Sequence, residues 1–310
     1  MPHLLVAVIV GLAVCQLGLL LTTLYLHRAV THRAVSLAPG FAFVLRVLVW
    51  LVTGIKPREW AAVHRRHHAY TDVPGDPHSP ILDGYWKVQL FNAVLYRRAA
   101  HDPETLRKYS RDIKVDKWDR ALFDHGFLGL AVGGAILWLA LGWRLALAAA
   151  GVHVVSYLVL NAAINAIGHR FGKRPFPGFA TNNQWLALLT WGEGFHSNHH
   201  AAPTSARLSF RRGQLDPGWW VVQLCQRLHW LQVRHDGIHF TRAAQAALER
   251  QTGAHLPGAA APAAGKPSPD VPAGEGTVPE EVLSRVLGVP AGEERLPETP
   301  PTEDRKPQLV

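Results

Sequence analysis

Apolar residues in this chain gather in unbroken runs rather than at helical or strand spacing. Residues 4–26 carry no charged side chain and supply about the ~20 apolar positions that span a bilayer. Residues 127–143 and 145–167 predict two further spans, with Gly142-Trp143-Arg144 as the tight turn between them. Residues 41–55 are apolar too, but the run is short and Arg46 interrupts it. Between these runs, residues 56–120 and 170–234 are polar and rich in His, Arg and Lys. Asp216-Pro217-Gly218-Trp219-Trp220 is a helix-start signal that opens an amphipathic stretch to Leu231, and its tryptophans suit a membrane interface. From residue 253 onward Ala, Pro, Gly and Glu dominate, which predicts a disordered tail, 253–310, after a membrane domain, 1–252; residues 280–287 are the tail's one helix-prone stretch. The pattern predicts an all-α integral membrane protein with about three spanning helices, interfacial helices and a polar cap.

The polar stretches hold three histidine clusters: His27 and His32, then His64, His67 and His68, then His196, His199 and His200. If they cooperate they lie on one side of the membrane. Two spans separate the second cluster from the third and return the chain to its starting side. Residues 41–55 separate the first from the second, so they are expected to lie on or dip into the bilayer rather than cross it. The Lys/Arg excess in residues 56–120 places this side in the cytoplasm and the N-terminus outside.

Charge supports a membrane setting. Only 18% of the 310 residues are charged while 48% are hydrophobic, and the formal net charge is +9. The segment from Gln251 holds nine acidic and five basic side chains, so the rest is near +13. Such a basic body suits a cytoplasmic membrane face, anionic lipid head groups or acidic partners. Nucleic acid is the other usual partner of a basic protein, but no nucleic-acid motif is found. The first apolar run lacks a basic region before it and is longer than a signal's apolar core, so it is expected to be a retained helix. The two cysteines, Cys15 and Cys225, sit in an apolar and an amphipathic stretch and offer neither a disulfide framework nor a thiolate metal site.

The histidines carry the candidate chemistry. Positions i, i+3 and i+4 share one helical face, so the second and third clusters each aim three imidazoles one way. His27 and His32 do not fit that rule: five residues rotate an α-helix by about 140° beyond a full turn. The pair is expected where a helix ends, or serving different ions. A lone histidine at a membrane edge is usually a packing residue, whereas repeated clusters of eight favour two metal ions. Closed structural zinc sites use four ligands, commonly with cysteine, and suit this set less well. Asn161, Asn165 and His169 fall on one face of the last span, where polar side chains are costly and usually functional or used in helix–helix bonding. Asp72, Asp76 and Glu193 stand near the clusters and could orient imidazoles through their second N–H, or simply be solvated loop charges or helix caps. His153, some four turns from His169, is expected near the opposite side of the membrane as a packing or interfacial residue.

His27-Arg-x-x-Thr-His-Arg33, His64-Arg-x-His-His68, Asn165-x-x-x-His169 and Gly192-Glu-Gly-Phe-His-x-Asn-His-His200 resemble the membrane-bound fatty acyl desaturases, most of all the acyl-CoA Δ9 (stearoyl-CoA) type and its bacterial relatives. Glu59-Trp60 and Asp76-Pro77-His78 resemble the same branch. The resemblance runs from about Leu24 to Leu231. Each box alone is weak; together, in this order and spacing, they are specific. The resemblance implies a non-haem di-iron site held by His27, His32, His64, His67, His68, His169, His196, His199 and His200, with Asn165 holding a metal-bound water and His78 outside the ligand set. It implies O2 as co-substrate, a cis double bond placed in a long saturated acyl chain, and a bacterial cytoplasmic membrane location with the site on the cytoplasmic side. It also implies an electron donor such as a ferredoxin, a rubredoxin-like protein or cytochrome b5 with its reductase. An external donor follows independently, because the chain carries no Gly-rich dinucleotide fingerprint and no flavin or haem signature.

The chain also departs from the animal acyl-CoA enzymes. They have two spans before the first box, and this chain has room for one. Their Arg-Asp contact to CoA falls here on Ala62-Val63, and their Gln-Asn pair near the tunnel bend falls on Gly54-Ile55. Trp60 is kept, and with Gly54, Ile55 and Asn161 it marks the expected acyl tunnel. Acyl-CoA is therefore the first expectation, ahead of acyl-carrier protein or a lipid-bound chain. Arg65, Arg66, Lys87, Arg97 and Arg98 are candidates to meet an anionic head group. A di-iron membrane hydroxylase or mono-oxygenase is the nearest alternative. A metal transporter would line its spans with ligands, whereas here they gather at one edge.

Overall fold

The computed structural model describes residues 2–234 and 238–252. Helix α1, Pro2–Leu21, is apolar on every side and runs without a break into a π-helical segment, Thr22–Thr31. The two form one 29-residue helix over His3–Thr31, about 44 Å at 1.5 Å per residue. That exceeds a ~30 Å hydrocarbon core. Strand β1, Val35–Leu37, follows, then α2, Pro39–Thr53. Pro39 opens α2, and Gly54 closes it at φ +64°, a left-handed cap that a side chain would oppose. The chain then turns by 84° into α3, Pro57–Ala69. Helix α4, Tyr85–Ala100, is kinked at Phe91, and Asp102 caps α5, Pro103–Tyr109. A short π turn, Asp119–Phe123, leads into the apolar hairpin of α6, Gly126–Leu141, and α7, Trp143–Ala166. Short helices α8, Gln184–Leu189, and α9, His196–Ala201, precede α10, Pro217–Arg227, which Asp216 caps. Strand β2, Leu231–Val233, pairs antiparallel with β1, and α11, Arg242–Thr252, ends the described chain.

Missing side chains let the membrane helices meet. A Cβ on Gly126, Gly129 or Gly133 would lie 2.1, 2.2 or 2.4 Å from the carbonyl oxygens of Gly54, Trp50 and Leu51, so α6 packs backbone against backbone on α2. Between α1 and α7, Gly18 leaves room for the Tyr157 ring, and Tyr157 Oη lies 2.7 Å from Thr22 Oγ1. His153 Nε2 donates 2.8 Å to the Val52 carbonyl, one of those a helix end leaves unpaired.

Several expectations change. Two helices, His3–Thr31 and Trp143–Ala166, are long and apolar enough to cross a membrane, and the bent pair of α2 and α3 would make a third if it is one span; α6, with 16 residues and about 24 Å, is shorter. The ribbon of β1 and β2 is an addition to the all-α expectation. Helix α7 ends at Ala166, before His169: a Cβ on Gly168 would lie 2.0 Å from the Ile164 carbonyl oxygen, and the chain turns there. His153 is a packing residue as expected, but stands near the middle of α7 rather than near its far end. The expected tail, 253–310, lies outside the described residues.

Candidate metal centre

The five-residue spacing of His27 and His32 is resolved by the backbone. Both flank a π-helical turn, in which His32 N–H donates to the His27 carbonyl five residues back at 3.1 Å. One wide turn sets residues i and i+5 near each other, and the two rings lie 4.8 Å apart. Thr31 reinforces the register by donating its hydroxyl to the Leu26 carbonyl, also five residues back. Arg65 is buried and donates to the Val30 and Thr31 carbonyls, which tethers the end of this turn to α3. Helices α3 and α9 supply the other two clusters at the expected i, i+3, i+4 positions. The turn after α7 brings in His169.

The nine histidines converge as two adjoining cradles. His27, His32, His64 and His199 form one, and His67, His169, His196 and His200 the other. His68 joins them: its Nε2 is 2.8 Å from His199 Nε2 and 3.1 Å from His64 Nε2, and its ring stacks on His200. In the first cradle His27 Nε2 lies 3.0 Å from His199 Nε2 and His64 Nε2 lies 3.1 Å from His32 Nε2. In the second, His200 Nε2 lies 3.3 Å from His67 Nε2 and 3.2 Å from His196 Nε2. Two imidazoles bound to one ion at about 2.0–2.1 Å and at a right angle would place their nitrogens about 3 Å apart, so these spacings fit shared ions. His169 Nε2 is buried without a hydrogen-bond partner, as an inward-facing ligand atom would be.

Three carboxylates face the outer nitrogens. Glu193 Oε1 is 2.7 Å from His27 Nδ1, Asp76 Oδ1 is 2.9 Å from His67 Nδ1, and Asp72 Oδ2 is 2.7 Å from His169 Nδ1. Each carboxylate accepts a hydrogen bond from Nδ1–H, which leaves the Nε2 lone pair for the cradle. Burial, with neighbouring imidazoles adding to it, holds His32, His64, His68, His196, His199 and His200 well below the ordinary 6.5, so they are neutral near neutral pH. His169 is also lowered, since burial outweighs the Asp72 carboxylate. His67 is raised: burial lowers it, but Asp76 more than offsets that, and Asp76 is lowered in turn.

The remaining expected residues are more scattered. Trp60 stacks on His64 at 4.8 Å and stands edge-on to His27. Ile55 packs between the α1–α2 cluster and the cluster of Cys15, Leu19 and Tyr157. Gly54 is the α2 cap packed on α6. Asn161 bonds back to the Tyr157 carbonyl of its own helix, and the Asn165 side chain makes no hydrogen bond among the described residues. His78 is buried beside His67 with both ring nitrogens unpartnered, and burial and His67 push it down to about 3.

Arg65 and Arg66 do not reach for a head group. Arg65 is held by Asp112 as well as by the backbone, and Arg66 by Asp102, Thr105 and the Gly75 carbonyl. Lys87 pairs with Asp83, while Arg97 and Arg98 are exposed. Arg28 plays a part the motif alone does not disclose. It is 1% exposed, donates to Thr23 and the Ala206 carbonyl, and lies 3.6 Å from Glu193 and 3.5 Å from Asp216. A charged side chain in an otherwise apolar helix is the sequence signal for it.

A family model described as fatty acid desaturase matches residues 2–214. The chain belongs to the fatty acid desaturase family. It is 31% identical over 220 residues to an acyl-CoA C20 Delta5-desaturase of Anemone leveillei, covering 70% of this chain and 69% of the relative. It is 31% identical over 209 residues to an sn-1 stearoyl-lipid 9-desaturase of Anabaena variabilis, covering 66% and 75%. A hex-5-enoyl-[acyl-carrier protein] acetylenase of Moorena producens (strain JHB) shares 31% over 231 residues, 66% of this chain and 68% of that one. This desaturase-family chain is an oxidoreductase built on a mostly helical, membrane-suited frame, and its histidine clusters could hold metal.

Proposed function

We propose that the protein is an O2-dependent fatty acyl desaturase that places a cis double bond in a long saturated chain. The observation that carries this is the pair of histidine cradles, with Nε2 atoms converging and Nδ1 atoms anchored on carboxylates. His27, His32, His64, His67, His68, His169, His196, His199 and His200 would hold two iron ions, and Asn165 would hold a bound water. The ions would supply the redox chemistry that activates O2. Glu193, Asp76 and Asp72 fix the tautomer and direction of His27, His67 and His169. The balance is one saturated chain, O2, two electrons and two protons giving one alkene and two waters.

Trp60, Ile55, Gly54 and Asn161 would border the acyl tunnel, with Trp60 placed directly on a cradle imidazole. Acyl-CoA with the double bond at Δ9 is our first reading. The relatives' names cover CoA, lipid and acyl-carrier-protein substrates, so the carrier is the finer question. The electron donor would be a ferredoxin, a rubredoxin-like protein or cytochrome b5 with its reductase. The site would face the cytoplasm from a bacterial cytoplasmic membrane. Expression in a host of defined lipids, followed by mass spectrometry that locates any new double bond, tests the reading. Wild type should yield the alkene and His67→Ala should not, at equal membrane abundance. An inserted oxygen in place of the alkene would assign the chain to the hydroxylases instead.

A further inference from the structure

In segment 103–117 the acids Asp112 and Asp116 are paired with arginines of other elements, Asp112 with Arg65 and Arg33 and Asp116 with Arg46, and Glu104 is exposed beside Arg107. The segment's cations turn outward: Arg107, Lys108, Arg111 and Lys114 are exposed. Arg107 meets only Glu104, at 4.0 Å and with 75% of its side chain exposed, while Arg111 donates to the Arg107 carbonyl and Lys108 to the Tyr70 hydroxyl. Neither Lys108, Arg111 nor Lys114 has an acidic partner among the described residues. The inner side of this segment is tied to residues beside the cradle histidines by Arg65, Arg33 and Arg66. Arg65, next to His64, takes the Tyr109 carbonyl and Asp112 on one side and the Thr31 carbonyl, next to His32, on the other. Further along, Trp118 packs on Phe43 of α2 before the chain enters the apolar hairpin, so the membrane-facing part of this region lies beyond the four cations.

We propose that Arg107, Lys108, Arg111 and Lys114 form the docking surface for an acidic one-electron carrier protein. The proposal rests on the desaturase reading, whose balance takes two electrons from outside while the chain itself carries no redox-cofactor signature. An unpaired basic patch steers an acidic partner and orients it. This one lies on a segment that Arg65 joins to the backbone beside His32.

The test uses the iron-loaded protein and its Arg107→Glu/Lys108→Glu/Arg111→Glu/Lys114→Glu variant. Reduced [2Fe–2S] ferredoxin, rubredoxin and cytochrome b5 serve as probes. With the carrier that serves wild type, the variant should show roughly a tenfold or larger rise in half-saturating carrier concentration and should lose the salt dependence of its rate. Direct binding of that carrier should weaken in parallel, while iron content and turnover with a small chemical reductant stay at wild-type levels. Unchanged carrier kinetics in the variant overturns the proposal, as does failure of every acidic carrier to serve a wild type that works with the chemical reductant. Loss of binding to anionic vesicles with carrier kinetics unchanged would assign the patch to lipid. Absence of an alkene from wild type with the chemical reductant would instead defeat the desaturase reading.

Discussion

Arg28 is the residue on which the first cradle's geometry depends without touching a metal-facing nitrogen. Its guanidinium is buried between Glu193 and Asp216, and Glu193 in turn holds His27. Removing one partner of a buried ionic cluster leaves the others uncompensated, at a cost of about 3–5 kcal/mol. Arg28→Met should therefore lower thermal stability in detergent by that order and reduce iron occupancy. Adding Glu193→Gln should recover part of the stability but not the iron. Glu193→Gln alone leaves Arg28 paired with Asp216, so it should cost less stability than Arg28→Met and weaken iron retention about 10–100-fold, measured by metal content after dialysis against a chelator. The lowered histidines set a pH dependence. Six imidazoles held well below 6.5 stay neutral when folded, while the unfolded chain binds their protons as the pH drops through 6.5. The folded form then loses stability as pH falls below about 6.5. His67 has the opposite sign, since its raised value favours folding below 6.5 and that contribution fades as pH rises through its folded pKa. With His169 and His78 lowered as well, eight against one predicts that the metal-free protein melts at lower temperature at pH 5.5 than at pH 7.5, read by scanning fluorimetry; an unchanged or higher melting temperature at pH 5.5 would contradict it.

Among the elements, the α2–α6 contact and the π-helical turn show what a local reading reaches and what it does not. Apolar runs disclose where helices lie, because burial of side chains in lipid is a property of composition. The contact between them depends on where side chains are missing. Gly129 faces the Trp50 carbonyl, whereas Gly134, on the same helix, has nothing within 4 Å of its would-be Cβ. Gly129→Ala should force α2 and α6 apart at about 1–3 kcal/mol, the usual range for overpacking. Gly134→Ala should be neutral or stabilise by up to about 1 kcal/mol, since it only restrains the helix. Melting curves of the two variants separate them; equal effects would mean the close approach is not what holds the pair. The histidine boxes on α3 and α9 were legible because i, i+3, i+4 is a local rule. The helix end at His27 and His32 was legible too, but its π register was not, because that is held by Arg65 from another helix and by the Thr31 side chain. The inward arginines escaped for the same reason: Arg65 and Arg66 look like surface charges until Asp112 and Asp102, dozens of residues away, are placed against them.

At the scale of the whole molecule, convergence of the histidines constrains the path through the membrane. His32 and His64 bracket β1 and α2, yet their Nε2 atoms are 3.1 Å apart. The chain between them must leave and return to one place. It does so by descending along α1 as α2, bending through 84°, and coming back as α3, with His153 closing the exposed carbonyl at the bend. The convergence of His32 and His64 favours a re-entrant path, which would keep one side, over a broken span, which would change it. Helices α6 and α7 likewise leave from the side of segment 103–117 and return to His169, so the Gly142 turn marks their far end. Two single-cysteine variants test this in intact cells, on a background with Cys15 and Cys225 replaced. Trp143→Cys, at an exposed position beside the turn, should react with a membrane-impermeant maleimide from outside. Arg107→Cys, exposed on the opposite side, should react only after the cells are opened. Labelling of both from the same side would mean that the α6–α7 hairpin dips without crossing. The histidine cradles would then sit on a frame with a single span, His3–Thr31.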